Sequence, residues 1–134
     1  MIDTLPPYAQ LLGLSAERDA DDAPVMVMPF ATDVLGRPGF LHGGAISGLL
    51  EMAAIVALQE ALKDEGENGG GGEIKPINVT VDFMRGGRDK ITRAKGVVTR
   101  LGTRVANVET IAWQDDPARP IAAARMNYLI VRGR

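Results

Sequence analysis

LHGGAISGLLEMAAIVALQEALK, Leu41 to Lys63, is the one long helical pattern in the chain. From Ala45 to about Lys63 it holds good helix formers that are apolar on most faces and polar only from Gln59 onward. A helix apolar nearly all round is a buried one. Before it, ATDVLGRPGFLHGG carries Gly36, Pro38 and Gly39 and reads as a turn-rich connection. After it, Lys63 to Asn68 and the run Gly69 to Gly72 end the helix and read as a flexible loop.

Beyond that loop the period changes. Ile77, Val79, Val81 and Phe83 alternate with Asn78, Thr80 and Asp82, the period of a half-buried strand. Pro76 suits only the start of such a strand or an edge. Ile91 to Leu101, Arg104 to Gln114 and Pro120 to Val131 read as three more strands, separated by turns at Gly102-Thr103 and Asp115 to Ala118. Upstream, Pro6-Pro7 opens a short helix that Gly13 ends, Ser15 to Ala23 reads as a polar loop, and Pro24 to Phe30 as a first strand. The order is strand, long helix, four strands. That predicts an α+β fold with a curved antiparallel sheet of about five strands. One sheet covers only one face of so apolar a helix, so a second copy is expected to cover the rest.

The chain is 134 residues long, which suits a single domain over 1–134. Fifteen Lys and Arg against seventeen Asp and Glu leave a net charge of −2, which argues against a broadly basic nucleic-acid surface. The absence of cysteine excludes disulfides, thiolate nucleophiles and thiolate metal sites. A single histidine, His42, excludes a multi-His metal site within one chain. No metal and no cofactor are therefore expected. The first residues lack the basic and apolar blocks of a secretory signal, and the apolar stretch Leu41 to Leu58 is interrupted by Glu51, so a cytoplasmic protein without a membrane span is expected.

Two features carry chemistry. At a helix start the first N–H groups lack intrahelical partners and the macrodipole is positive. Gly43 and Gly44 lie there, and a glycine lets a ligand oxygen approach the backbone closely. Such donors suit the oxyanion of acyl transfer; the same glycines also suit a bare turn. Glu51 is the only formally charged residue between Arg37 and Glu60. It shares a helix face with Ser47, Gly48, Ile55 and Leu58, and the small Ser47 and Gly48 leave room above the carboxylate. It is either an unpartnered acid of the kind found at functional sites, or a glutamate that points to solvent or pairs with an arginine from elsewhere in the fold. His42 and Glu51 stand about two and a half turns apart, ~12–14 Å along the axis, too far to bridge one reacting group within a chain. Antiparallel helices across a two-fold axis would bring Glu51 of one subunit toward Gly43 of the other. Arg85, Arg88, Lys90, Arg100 and Arg104 recur at strand ends, either as a solvated rim or as contacts for a phosphate-bearing tail.

LHGGAISGLLEMAAIVAL resembles the signature of the hotdog-fold acyl-CoA thioesterases of the PaaI-like, phenylacetate-pathway group, with His42 and Glu51 at the matching nine-residue spacing. INVTVDFMRGGR and VVTRLGTRVANVET resemble that family's following strand and hairpin, so the resemblance spans roughly residues 5 to 131. It implies a helix wrapped by a curved sheet, dimers with a continuous sheet, often tetramers, and active sites at the dimer interface. By position, it implies that the Gly43 N–H polarises the thioester carbonyl. It implies as well that Glu51 of the other subunit activates water or attacks the carbonyl itself, and that His42 helps shape the loop and the carbonyl site as a third catalytic residue. Gly44, Ser47 and Gly48 are the expected surroundings of the acyl-CoA, with Arg85 and Arg104 on its phosphates. Gly36 stands where many relatives carry asparagine. The alternatives are a non-catalytic acyl-CoA-binding domain, suggested by that missing asparagine, and a 3-hydroxyacyl thioester dehydratase, faintly echoed by Pro38-Gly39-Phe40 upstream of Leu50-Glu51.

Overall fold

The computed structural model describes residues 4–65 and 73–132. The elements run α1 (Tyr8–Leu11), β1 (Ser15–Arg18), β2 (Pro24–Met28), α2 (Gly43–Asp64), β3 (Glu73–Phe83), β4 (Thr92–Leu101), β5 (Val105–Trp113) and β6 (Ala122–Val131). The strands form one antiparallel sheet in the order β1-β2-β4-β5-β6-β3, and α2 packs against β2, β4, β5 and β6. This is the helix-wrapping sheet of a hotdog fold. The Gly69 to Gly72 run falls outside the described residues.

The sheet has six strands rather than about five. The extra one is β1, SAER, within the segment read from sequence as a loop. All four of its residues are exposed and it pairs only with β2 at the sheet edge. With neither face buried, it carries no apolar alternation to read. The other departures are at boundaries. The helix starts at Gly43, and β3 starts at Glu73. Pro76 lies inside β3 rather than at its first residue, but β3 is an edge strand, where a missing N–H costs no ladder bond. The β3–β6 register slips between Pro76 and Asn78, leaving Ile77 as a bulge.

Half of α2 is buried, including Leu49, Leu50, Ala54 and Leu58 at 0% exposure. By length and composition it is apolar enough to cross a membrane; here its apolar residues instead meet Met26, Ala94, Val108, Ala124 and Met126 of the sheet in one core. Gly96 lets the helix lie close. A Cβ there would stand 2.9 Å from the Ala53 carbonyl oxygen and 3.0 Å from the Ala57 Cβ. Along one side of α2 a stripe stays half open: Gly43, Ser47, Glu51 and Ile55, at helical spacing. Beside it, the edge strand β3 and the residue after it expose Ile77, Val79, Phe83 and Met84.

Candidate active site

The connection before α2 is anchored at both ends. The Leu41 N–H donates to the Gly87 carbonyl at 2.8 Å, and the His42 N–H to the Val34 carbonyl at 2.8 Å. His42 is the helix N-cap: its backbone is extended and its Nδ1 accepts the Gly44 N–H at 2.8 Å. Nδ1 therefore carries no proton in this geometry, and the ring's hydrogen sits on Nε2. The His42 carbonyl takes the Ala45 and Ile46 N–H groups. Of the first four N–H groups of α2, only that of Gly43 has no acceptor among the described residues. The Phe83 ring closes over this residue, 3.3 Å from where a Gly43 Cβ would stand.

Glu51 is half buried and has no hydrogen bond or ion pair among the described residues. It lines a pocket of about 300 Å³ with Pro76, Ile77, Asn78, Val79, Met126 and Tyr128. Tyr128, 1% exposed, stands in that wall. Burial first, and then the negative charge of Glu51, push its phenol far above the usual tyrosine range.

The remaining expected site residues divide. Ser47 stays on the half-open stripe with no hydrogen bond from its hydroxyl among the described residues. Gly48 corrects the sequence reading: the room above it is filled by α1, and a Cβ there would stand 2.5 Å from the Tyr8 ring and 3.1 Å from Leu12. Its smallness admits the N-terminal helix, not a ligand. The Gly44 N–H is committed to His42, which leaves Gly43 as the donor. At Gly36 a Cβ would stand 3.2 Å from the His42 Cα, so a side chain there would require the backbone to give.

Arg85 and Arg104, expected to share one phosphate tail, lie at opposite ends of the sheet. Arg85 follows β3, at the end where Phe83 meets Gly43. Arg104 precedes β5, at the end where α2 finishes and Arg132 pairs with Glu65 at 2.7 Å. A ten-residue strand separates the two ends by ~33 Å, so one chain cannot place both on the same group. Arg85 lines a depression of about 500 Å³ with Arg88 and Lys90, also named from sequence, and with Arg119, which sequence reasoning missed, beside Asp115 and Asp116. Lys90 is neutralised by Asp115 at 2.7 Å, whereas the Arg119 guanidinium has no partner among the described residues. Arg88 lies 4.3 Å and Arg37 4.2 Å from the centroid of the one Phe40 ring. Two guanidinium groups thus share one aromatic ring, with no carboxylate among the described residues bound to either. Among the described residues no group of acidic and histidine side chains could hold a metal ion.

Residues 38–121 match the family model described as the thioesterase superfamily. The chain belongs to that superfamily. The match runs from the loop before the HGG turn to the first residue before β6, so it contains both Gly43 and Glu51. A search of curated proteins found no match. Among solved structures, a protein from Chromobacterium violaceum is 33% identical, with a TM-score of 0.70, and the alignment covers 97% of this chain and 86% of that one. The BH2602 protein from Bacillus halodurans, crystallised with CoA, is 17% identical with a TM-score of 0.79, covering 98% and 82%. A phenylacetic acid degradation-related protein from Ralstonia eutropha is 20% identical with a TM-score of 0.77, covering 93% and 90%. Superfamily membership supports thioester hydrolysis in general.

Proposed function

We propose that this member of the thioesterase superfamily hydrolyses an acyl-CoA thioester to the free acid and CoA, as a homo-oligomer with its active sites between subunits. One observation carries the reading: among the described residues, an unclaimed N–H at Gly43 and an unpaired carboxylate at Glu51 lie on the same open stripe of α2, beside an unpaired strand edge. Eight residues of helix separate them by ~12 Å, so one reacting carbonyl meets both only if they come from two copies. The exposed apolar edge of β3 supports that pairing, since a long bare edge strand seeks another strand.

In this mechanism the thioester oxygen points at the Gly43 N–H, at the positive end of α2. Charge developing on that oxygen is stabilised there. Glu51 of the other subunit takes a proton from the attacking water and returns it to the sulfur as the tetrahedral intermediate expels CoA as the thiol. If Glu51 instead attacks the carbonyl carbon, expulsion of the CoA thiolate leaves an acyl-Glu51 anhydride, which water hydrolyses to the free acid while the proton released goes to the thiolate. His42 serves as the cap that fixes the helix start and commits Gly44, so that Gly43 is the free donor. The CoA homologue supports CoA as the carrier, and the arginine-lined depression at the Gly43 end of the sheet suits its phosphates.

The test is thiol release from short, medium, long and aromatic acyl-CoAs, with Glu51→Gln measured alongside. Loss of turnover by at least ~10²-fold in the variant is expected of a missing general base. Near-normal turnover in Glu51→Gln refutes the assigned role. Binding without turnover by the wild type favours the non-catalytic acyl-CoA-binding reading instead, for which Gly36 in place of asparagine is the supporting feature.

A further inference from the structure

The Glu51 pocket is poor in polar side chains. Asn78 lines it, but its side-chain oxygen accepts from Asn127 at 2.7 Å in an asparagine ladder that runs on to Asn107. That ladder lies on the sheet face turned away from α2, because Asn127 alternates with the core residues Met126 and Tyr128. Besides the Asn78 amide, whose side chain belongs to that outer ladder, the hydroxyl of Tyr128 is the side-chain donor in the wall. It is held rigidly, with the residue 1% exposed in the core, yet its proton goes to the Met126 Sδ at 3.3 Å. A thioether is a weak acceptor. A fully buried phenol bonded to sulfur, sharing a pocket with a carboxylate that has no partner, is a donor and an acceptor left mismatched.

A base that removes a proton from water works through one oxygen held in one direction. Glu51 has three rotatable bonds and, among the described residues, no hydrogen bond or ion pair that fixes them. We propose that Tyr128 is a positioning residue for Glu51, turning its hydroxyl from the Met126 sulfur to one oxygen of the carboxylate and leaving the other oxygen free toward the reacting thioester. This rests on Glu51 as the acid of the site and adds the group that aims it.

Among the described residues no other charged group competes for that role. Along α2 nothing else titrates between Gly43 and Gln59. On β3 the pocket wall from Pro76 to Val79 is uncharged, and Lys75 and Asp82 register opposite outward-facing residues of β6. On β6, Arg125 is exposed on the far face, and from α1 only Tyr8 approaches, one turn away over Gly48. His42 stands exposed at the helix start, more than two turns off.

The experiment is the pH profile of thioester hydrolysis by the full chain carrying Tyr128→Phe, which deletes only the oxygen. Expected are a kcat reduced about tenfold with KM changed less than about twofold, as for loss of one bond to a charged group. A donor favours the ionised carboxylate, so its removal moves the acid limb of kcat/KM to higher pH. Placing 3-fluorotyrosine at position 128 keeps the packing and strengthens the donor, and is expected to move the same limb to lower pH. In a Glu51→Gln background, Tyr128→Phe should cost nothing further. Wild-type kcat and an unmoved acid limb in both the Phe and fluorotyrosine proteins overturn the proposal while leaving Glu51 as the acid, and so does an undiminished cost of Tyr128→Phe in the Glu51→Gln background. Full turnover by Glu51→Gln alone overturns both.

Discussion

Gly96→Ala tests whether close contact between β4 and α2 is what sets the helix on the sheet. The added Cβ would stand 2.9 Å from the Ala53 carbonyl oxygen, 3.0 Å from the Ala57 Cβ and 3.3 Å from the Ala53 carbonyl carbon. These are helix backbone and a side chain with no rotamer to change, so relief comes only from moving α2 outward. Overpacking of this kind costs about 1–3 kcal/mol. Against it stands about 0.4–1 kcal/mol gained because alanine narrows the unfolded ensemble. The net loss is about 1–2 kcal/mol. With an unfolding entropy near 2.1 cal/mol/K per residue, a chain of this length should melt ~4–7 °C lower. Circular dichroism melts of both proteins at one fixed protein concentration read this directly, since an oligomer's melting temperature depends on concentration. The outward shift also displaces Glu51, half a turn from Ala53 on the same helix, so kcat should fall in the folded variant. A melting temperature equal to or above the wild type would show that the contact is slack and that Gly96 does not set the helix position.

Charge reversal at Arg88 or Arg119 should raise KM for CoA esters several-fold while sparing short pantetheine esters, and Arg104→Glu should show a smaller split; equal effects at the two sheet ends would return all of them to a solvated rim. Val79→Lys places a charge on the exposed edge of β3 and should shift the chain toward monomer by light scattering while abolishing turnover, because neither subunit then completes a site. Asp19 is held below the usual carboxylate range, first by its bond to Lys95 at 2.5 Å and then by the Ala23 N–H. Its contribution to stability is present above its unfolded value of 3.8 and is lost as pH falls through the lower folded value. Asp19→Asn should therefore lower stability at neutral pH and flatten its fall below about pH 4 in denaturant titrations.

Much of this molecule is written in local pattern. The apolar run from Ala45 to Lys63 dictates a buried helix, and the alternation from Ile77 to Phe83 dictates a strand, because burial on one face imposes the period of the backbone on the side chains. The HGG turn and the isolated Glu51 were legible for the same reason: glycine at a helix start and a charge in an apolar helix each break a rule that local structure otherwise enforces. Four things were decided only in three dimensions. β1 exists because β2 offers it an edge, not because Ser15 to Arg18 carry any apolar signal. Gly48 is small because Tyr8, forty residues earlier, lies on it, and spacing along α2 is silent about what another element brings to that face. Arg85 and Arg104 look equivalent as residues at strand turns, yet an antiparallel meander sends successive turns to opposite ends of the sheet, so only Arg85 stays with the helix start. Tyr128 reads as one more inward residue of β6; its place beside Glu51 follows from the order β5-β6-β3, which folds the last strand of the chain against the acid of the central helix. Short-range periodicity specifies elements and the faces they bury, whereas which side chains meet across those faces depends on contacts dozens of residues apart that no local rule encodes.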